Sequence, residues 1–297
     1  LWRYHDHRLL FFRRKCKQYL YKANLRYGVE RLLYRLSVSP HAGEFILKGA
    51  SLFLVWKGQS YRVTKDADLL GFGSADTGRM SAVFKDICRI HCEEDGMMFL
   101  SETIRAIPIR EEQEYDGIRV TLTGMLHRAR IPLQVDIGFG DVVTPAPERI
   151  EFPTLLDIPA PHLRAYSRYT MVAEKFEAMV RLGMANSRMK DFYDVWLLTR
   201  LFEFKGRTLC EAVRNTFSRR ATTLPDGLPT AFTEEFRQDP QKQTQWQAFV
   251  RKAKPEPVAD SFDAVIDDVV AFLRQVTESL LSNRFIEKTW RQDGPWK

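Results

Sequence analysis

The sequence predicts an α+β fold in which an α/β unit is followed by a helical unit. Up to about residue 140, short apolar runs typical of strands alternate with helical stretches and glycine turns. Residues 144–161 contain five prolines, and neither a helix nor a strand continues through such a segment. Beyond this segment the apolar residues recur with helical spacing as far as residue 281. The proline-rich segment is therefore predicted to be a linker.

The first half of the chain begins with one or two helices over residues 8–38. They end before Ser39-Pro40, because proline disfavours the helical conformation of the residue that precedes it. Gly49 is the predicted turn between the first strand and the helix that follows it. The remaining elements are predicted in this order: strand 45–47, helix 51–57, strand 61–70, helix 80–92, and strands 97–109, 117–126 and 131–138.

The second half of the chain is predicted to be helical. Its helices cover residues 169–182, 190–202, 208–219, 229–253 and 260–281, and the last dozen residues are expected to be loose. The predicted division is a basic N-terminal helical segment (1–40), an α/β domain (41–157) and a helical C-terminal domain (158–297).

Composition excludes several classes of protein. With 44% hydrophobic and 28% charged residues, the chain is globular and not disordered. No apolar stretch approaches the roughly 18 to 20 residues that span a bilayer, and the first residues lack the pattern of a secretory signal. Four scattered cysteines are too few for a disulfide scaffold. These observations predict a cytoplasmic protein without a membrane partner.

Positive charge is concentrated at the N-terminus. Residues 1–40 contain ten Lys and Arg against two Asp and Glu, a net charge of +8, whereas the whole chain carries +7. Aromatic residues such as Tyr19 and Tyr21 are interleaved with these cations. This mixture suits contacts with RNA phosphates and stacking on bases, and it is equally compatible with an amphipathic helix whose cations are solvated.

Two carboxylates, Asp66 and Asp68, alternate on the predicted strand 61–70. Alternate residues of a strand point to the same face, about 6 to 7 Å apart. Two carboxylates that close repel each other unless a cation lies between them, and a hard divalent ion such as Mg²⁺ binds carboxylate and phosphate oxygens together. Asp66 and Asp68 are therefore candidate metal ligands.

Further residues add to this candidate site. A third carboxylate, Asp136, lies in an apolar run where an unpartnered charge is costly, and it is the third predicted metal ligand. A glycine turn that opens a helix offers backbone N–H groups to phosphate. The residues predicted to bind nucleotide in this region are Lys48, Gly49, Ala50 and Ser51 at the turn, together with Arg62 and Thr64, which share the strand parity of the two aspartates.

With these motifs in order, the chain resembles the polymerase-beta-like nucleotidyltransferases, and more narrowly the AbiEii/AbiGii toxin family. The resemblance rests on five segments: ERLLYRLSVSP (30–40), FILKGASLF (45–53), YRVTKDADLLGFG (61–73), IPLQVDIGFGD (131–141) and YTMVAEKFEAMVRLGMANSRMKDFYDVWLL (169–198). Many relatives have glycine or serine where this chain has Ala50. This is a mild departure, because backbone N–H groups do not depend on the side chain.

The resemblance implies a mixed sheet, a helical C-terminal domain and a definite chemistry. It implies transfer of a nucleoside monophosphate from ATP, GTP, CTP or UTP, with Mg²⁺ as cofactor and Mn²⁺ as the alternative ion. The implied protein is a toxin with a cognate antitoxin, and the implied acceptor is the 3′ end of transfer RNA. The resemblance also maps a nucleotide-binding, catalytic lysine onto Lys175 and a catalytic aspartate onto Asp191.

Two questions stay open at the level of sequence. The base is either Asp136 or Asp191. If Asp191 is not the base, its role is to orient Lys175. The acceptor hydroxyl belongs to RNA or, alternatively, to a protein, and a non-catalytic module that binds nucleotide or a partner is the remaining alternative.

Overall fold

The computed structural model describes residues 2–62, 66–109, 117–282, 284 and 286–297, with side chains from Tyr19 onward. Thr64 and the predicted turn before Gly117 lie outside these residues.

Seven strands of the described residues form one mixed sheet. They are β1 (Phe45–Lys48), β2 (Ala67–Gly71), β3 (Met97–Ile109), β4 (Gly117–Leu126), β5 (Ala129–Phe139), β6 (Glu148–Glu151) and β7 (His162–Ala165). Their order is β3-β4-β5-β2-β1-β7-β6. The pairs β2–β5 and β1–β7 are parallel, and the other neighbours are antiparallel. The predicted α+β class is confirmed.

The helices follow the predicted order. They are α1 (Trp2–Val38), α2 (Leu52–Lys57), α3 (Thr77–Arg89), α4 (Arg168–Leu182), α5 (Met189–Leu201), α6 (Gly206–Arg219), α7 (Glu234–Gln238), α8 (Pro240–Ala253) and α9 (Phe262–Leu281). The single helix predicted over 229–253 is two helices. Asp239 accepts a hydrogen bond from the Lys242 N–H and Pro240 occupies the first turn, so a new helix begins there.

The strand predicted over residues 61–70 was wrong in its first half. Strand β2 begins at Ala67, and Tyr61 and Arg62 lie in a bend. The Tyr61 ring packs against Phe53, and the Arg62 guanidinium reaches Asp194 on α5. These two side chains contact helices, and Asp66 lies just before the strand instead of within it.

The linker predicted over residues 144–161 was also wrong in part, because it contains strand β6. The residues of β6 include no proline, and this strand pairs with β7 alone, at the edge of the sheet. Strand β7 in turn pairs with β1 through Leu47 and Ala165. An edge strand tolerates nearby prolines because half of its backbone groups need no partner in the sheet.

Helix α1 is fixed to the sheet domain by buried charges. Arg31 and Arg35 both pair with Asp95, through N–O distances of 2.9 and 2.6 Å, and all three side chains are at most 1% exposed. Gly28 of the same helix lies so close to Leu133 that a Cβ would be 3.0 Å from its side chain. Arg31 and Arg35 are therefore buried and cannot contact RNA, although both belong to the basic segment considered for RNA binding.

The C-terminal residues are packed, not loose as expected. The short strands β8 (Phe204–Lys205) and β9 (Thr289–Trp290) pair with each other, and Trp296 stacks on Phe272 with ring centroids 5.7 Å apart. Trp290 is buried beside the same phenylalanine. Among the described residues, none of the helices is both long and apolar enough to cross a membrane.

Candidate active site

A pair of carboxylates occupies the centre of the sheet. Strands β2 and β5 are parallel neighbours, and their register places Asp68 directly opposite Asp136. Burial raises the pKa of Asp68 above its ordinary value; the charge of Asp136 adds to this effect, while Lys190 and Lys48 oppose it. The nearby lysines therefore do not fully offset the cost of burying an ionised Asp68 carboxylate.

The turn after β1 touches this pair. Gly49 has φ of 77°, in the left-handed region that favours glycine, and a Cβ at this position would overlap the Asp68 carboxylate. Ala50 lines the cleft beside it, and the Ser51 hydroxyl donates to the Lys48 carbonyl oxygen at 3.3 Å. The glycine predicted from sequence is thus required by the close approach of the backbone to the carboxylate.

Asp136 is held from the side of β4. The Arg119 guanidinium donates to both of its oxygens at 2.8 Å, and the Gln134 amide donates to the same oxygens at 3.2 and 3.3 Å. The hydrogen bond to Asp136 raises the pKa of Arg119. Sequence analysis did not identify Arg119, which the β4–β5 register places opposite Asp136.

Asp66 lies apart from the cleft. It lines a different cavity, together with Tyr21 and Gln134. Within residues 2–62, 66–109 and the other described ranges, no three His, Cys, Asp or Glu side chains are grouped to hold a metal ion. Asp68 and Asp136 are the pair that the register brings together, and a metal-binding role for Asp66 stays a prediction.

A buried ionic cluster from α4 and α5 faces the carboxylate pair. Lys175 Nζ lies 2.6 Å from Asp191 Oδ1 and 2.9 Å from Asp194 Oδ2. Arg62 donates to both oxygens of Asp194, at 2.8 and 2.9 Å. Arg188 Nε lies 2.6 Å from Asp191 Oδ2. The predicted residues Arg62, Lys175 and Asp191 therefore meet, and Asp194 of α5 joins them.

The charges in this cluster bear on the two roles that the sequence left open for Asp191. Burial alone raises the pKa of this carboxyl group, but Lys175 and Arg188 outweigh burial and hold the pKa well below its ordinary value. Burial likewise opposes the charge of Lys175, yet Asp191 and Asp194 raise the pKa of its ammonium group. A carboxylate this strongly paired is a weak base, so the geometry favours Asp191 as the group that orients Lys175.

A second ionic cluster lines the same cleft. Lys48 Nζ lies 3.2 Å from Asp141 and 3.6 Å from Glu174, and Arg220 lies 2.9 Å from Asp141. The Tyr166 hydroxyl donates to Glu174 at 2.9 Å. Sequence analysis predicted Lys48 but missed its partners. Asp141 and Glu174 do fall inside segments that carry the family resemblance, which is the signal that could have found them.

Both clusters line one cleft with a cavity of about 210 Å³. Its walls include the sequence-predicted residues Lys48, Gly49, Asp68, Asp136, Lys175 and Asp191. A carboxylate pair beside a glycine turn and several cations can bind a polyphosphate and stabilise the charge of phosphoryl transfer. The fold and this cleft together define a nucleotidyltransferase.

Comparison with known proteins gives the family. The model of the nucleotidyl transferase AbiEii toxin family, from type IV toxin–antitoxin systems, matches residues 31–268. The chain belongs to this family, and it is a nucleotidyltransferase toxin. Membership implies a cognate antitoxin.

Two solved structures from Helicobacter pylori resemble the fold. The structure of JHP933 is 14% identical, with a TM-score of 0.50, over 90% of this chain and 94% of that one. A protein described as a candidate nucleotidyltransferase is also 14% identical, with a TM-score of 0.47, over 90% of this chain and 98% of that one. None of the curated proteins compared with the sequence matches it.

Proposed function

We propose that the protein transfers a nucleoside monophosphate from a nucleoside triphosphate to the 3′ end of transfer RNA, with Mg²⁺ as cofactor. The observation that carries this proposal is the register of β2 and β5, which sets Asp68 beside Asp136 next to the Gly49 turn. The N-terminal helix supports an RNA acceptor, because Lys22, Arg26 and Tyr19 on it are exposed.

The carboxylate pair fits a divalent metal ion. Burial and the neighbouring charge of Asp136 both raise the pKa of Asp68, and a cation between the two carboxylates would offset both effects. Asp68 and Asp136 would hold Mg²⁺, or Mn²⁺ as the alternative ion. When bound, this ion supplies positive charge to the phosphate oxygens.

The cleft side chains provide the remaining charge for the triphosphate. Lys175 presents an ammonium group that Asp191 and Asp194 fix in place, and Arg62 is fixed by Asp194. Lys48 lines the same cleft. Because the phosphates carry several negative charges, cations positioned before the substrate arrives stabilise them without further reorganisation.

The reaction exchanges a phosphoanhydride bond for a phosphodiester bond. The acceptor oxygen forms a bond to the α-phosphorus, the bond from that phosphorus to the bridging oxygen of the β-phosphate breaks, and pyrophosphate leaves. The proton of the acceptor hydroxyl passes to a carboxylate. We assign this role to Asp136, because its side chain lines the cleft and is 23% exposed, whereas that of Asp191 is 1% exposed and held by Lys175 and Arg188.

The test is incorporation of label from α-³²P triphosphates into total transfer RNA in the presence of Mg²⁺. We expect the wild-type protein to label RNA at the 3′ end with at least one nucleotide, and Asp68→Asn to label none. Absence of incorporation with all four nucleotides contradicts the proposal. Label that stays with protein after ribonuclease treatment contradicts the RNA acceptor and indicates a protein hydroxyl.

A further inference from the structure

A second cavity lies next to the carboxylate pair, between helix α1 and strands β3 to β5. Its volume is about 330 Å³, within the range of small-molecule sites. Its walls carry Tyr21 and Leu25 from α1, Asp66, and the polar side chains Thr103, Thr121 and Gln134 from the sheet. The function proposed above does not use this cavity.

The cavity is adjacent to Asp136 along strand β5. Gln134 and Asp136 are alternate residues of β5, so their side chains share one face of the sheet, with Cα atoms about 6 to 7 Å apart. The Gln134 amide also donates to both Asp136 oxygens, at 3.2 and 3.3 Å. On the neighbouring strand, Thr121 lies opposite Gln134 and Arg119 lies opposite Asp136. A ligand in the cavity would therefore extend directly to the proposed base.

The lining suits a nucleoside. Threonine hydroxyls and a glutamine amide both donate and accept hydrogen bonds, which matches base edges and ribose hydroxyls. Tyr21, which is 45% exposed, offers a ring for stacking at the rim. Arg119 beside Asp136 and the exposed Arg130 further along β5 provide positive charge for phosphates.

We propose that this cavity binds the terminal nucleosides of a single-stranded RNA acceptor and so presents the acceptor hydroxyl to Asp136. The inference rests on the proposed function, because it assigns the acceptor subsite of the same reaction. It also assigns Tyr21, Thr121 and Gln134 as residues that position the acceptor.

The test measures binding of a fluorescein-labelled single-stranded RNA with a free 3′ hydroxyl to the full-length protein, by anisotropy. Tyr21→Ala removes the stacking ring, and Thr121→Phe fills the cavity. We expect each variant to bind RNA about tenfold more weakly, because Tyr21→Ala loses the free energy of base stacking and Thr121→Phe leaves no room for the nucleoside. The controls are Leu20→Ala on the same helix and Ile107→Phe on β3; both residues are exposed and lie outside the cavity, so we expect wild-type affinity.

Kinetics give a second, independent readout. In the transfer assay, Tyr21→Ala should raise the KM for acceptor RNA about tenfold and leave the KM for the triphosphate unchanged. Thermal unfolding of each variant verifies that the fold is intact.

The outcomes separate this inference from the proposed function. Wild-type affinity in both cavity variants, an equal loss in the controls, or no RNA binding by the wild-type protein overturns the acceptor subsite. Weaker RNA binding confined to the cavity variants supports it, even if the wild-type protein transfers no label. That absence of transfer would contradict the proposed function alone.

Discussion

At the scale of single residues, Gly49 meets two requirements at once. Its positive φ and its contact with Asp68 both exclude a side chain. We therefore expect Gly49→Ala to displace Asp68 or the turn and to lower the rate of transfer at least about 100-fold, since shifts of about 1 Å have such effects. Initial rates measure this effect. Gly43→Ala is the control, because a Cβ at Gly43 meets no atom within 4 Å, and equal rates in the two variants would contradict the account.

The role of Asp191 can be separated from that of a base by the pH dependence of the rate. Lys175 and Arg188 hold the pKa of Asp191 well below its ordinary value against the effect of burial, so this group stays ionised across the working range. We expect Asp191→Asn to lower kcat/KM for the triphosphate about tenfold, because Lys175 loses the carboxylate that orients it. The acidic limb of the pH–rate profile should stay in place, because another group acts as the base. Loss of that limb would identify Asp191 as the base instead.

Some site residues could be predicted from sequence and others could not. Asp68 and Asp136 each stand out as a charge in an apolar strand, where an unpartnered carboxylate is costly. Arg119, which binds Asp136, and the cluster around Lys48 lie in separate parts of the chain, and no local pattern brings them together. Their contacts depend on strand register and helix packing, which are tertiary properties.

At the scale of secondary structure elements, α1 is attached to the sheet domain through Asp95. Arg31 and Arg35 outweigh the effect of burial and lower the pKa of Asp95. Removing one partner of a buried ion pair leaves the other charges uncompensated, so we expect Asp95→Asn to lower the free energy of unfolding by about 3 to 5 kcal/mol at neutral pH. Denaturant unfolding at pH 7 measures this difference.

The pH dependence of this contribution follows from the direction of the shift. A lowered pKa in the folded state stabilises the protein above the ordinary pKa of the carboxyl group, and this stability is lost as pH falls through the folded value. The advantage of wild type over Asp95→Asn should therefore shrink below about pH 4. Glu94→Gln, in the same turn but exposed, should behave as wild type at every pH. An advantage that persists unchanged at low pH would refute the assignment.

The elements show where periodicity succeeds. The strand over 117–126 has the predicted bounds, because its alternation of buried and less buried residues is long and regular. The strand over 97–109 also has the predicted bounds, although a register shift between Leu100 and Arg105 interrupts its alternation. The first half of the strand predicted over 61–70 is wrong, because Tyr61 packs on Phe53 of the preceding helix α2 and Arg62 binds Asp194 of the distant helix α5. Strand β6 escaped prediction because four residues at a sheet edge carry little local signal.

At the scale of the whole molecule, the excess positive charge belongs to α1, yet part of it is internal. Arg31 and Arg35 neutralise Asp95, while Lys22 and Arg26 are exposed. RNA affinity should fall with salt, and each phosphate contact removed should reduce the slope of log K against log salt by about 1. We expect Lys22→Ala with Arg26→Ala to reduce the slope, measured by anisotropy at several salt concentrations. An unchanged salt dependence would show that RNA does not contact Lys22 or Arg26.

The division of the chain at residues 40 and 157 stays a prediction. Helix α1 is joined to the sheet domain by the Asp95 ion pairs, and β7, which follows the second boundary, pairs with β1. These contacts link the three predicted parts around the cleft.

The central claim is that Asp68 and Asp136 hold a divalent ion beside a bound triphosphate. Its most direct test is the crystal structure of the protein with Mn²⁺ and a non-hydrolysable triphosphate analogue, with the ion located by anomalous scattering. We predict an anomalous peak coordinated by both carboxylates and by phosphate oxygens, with the phosphates near Gly49 and Lys175. A peak away from these two side chains, or triphosphate bound outside this cleft, would contradict the account.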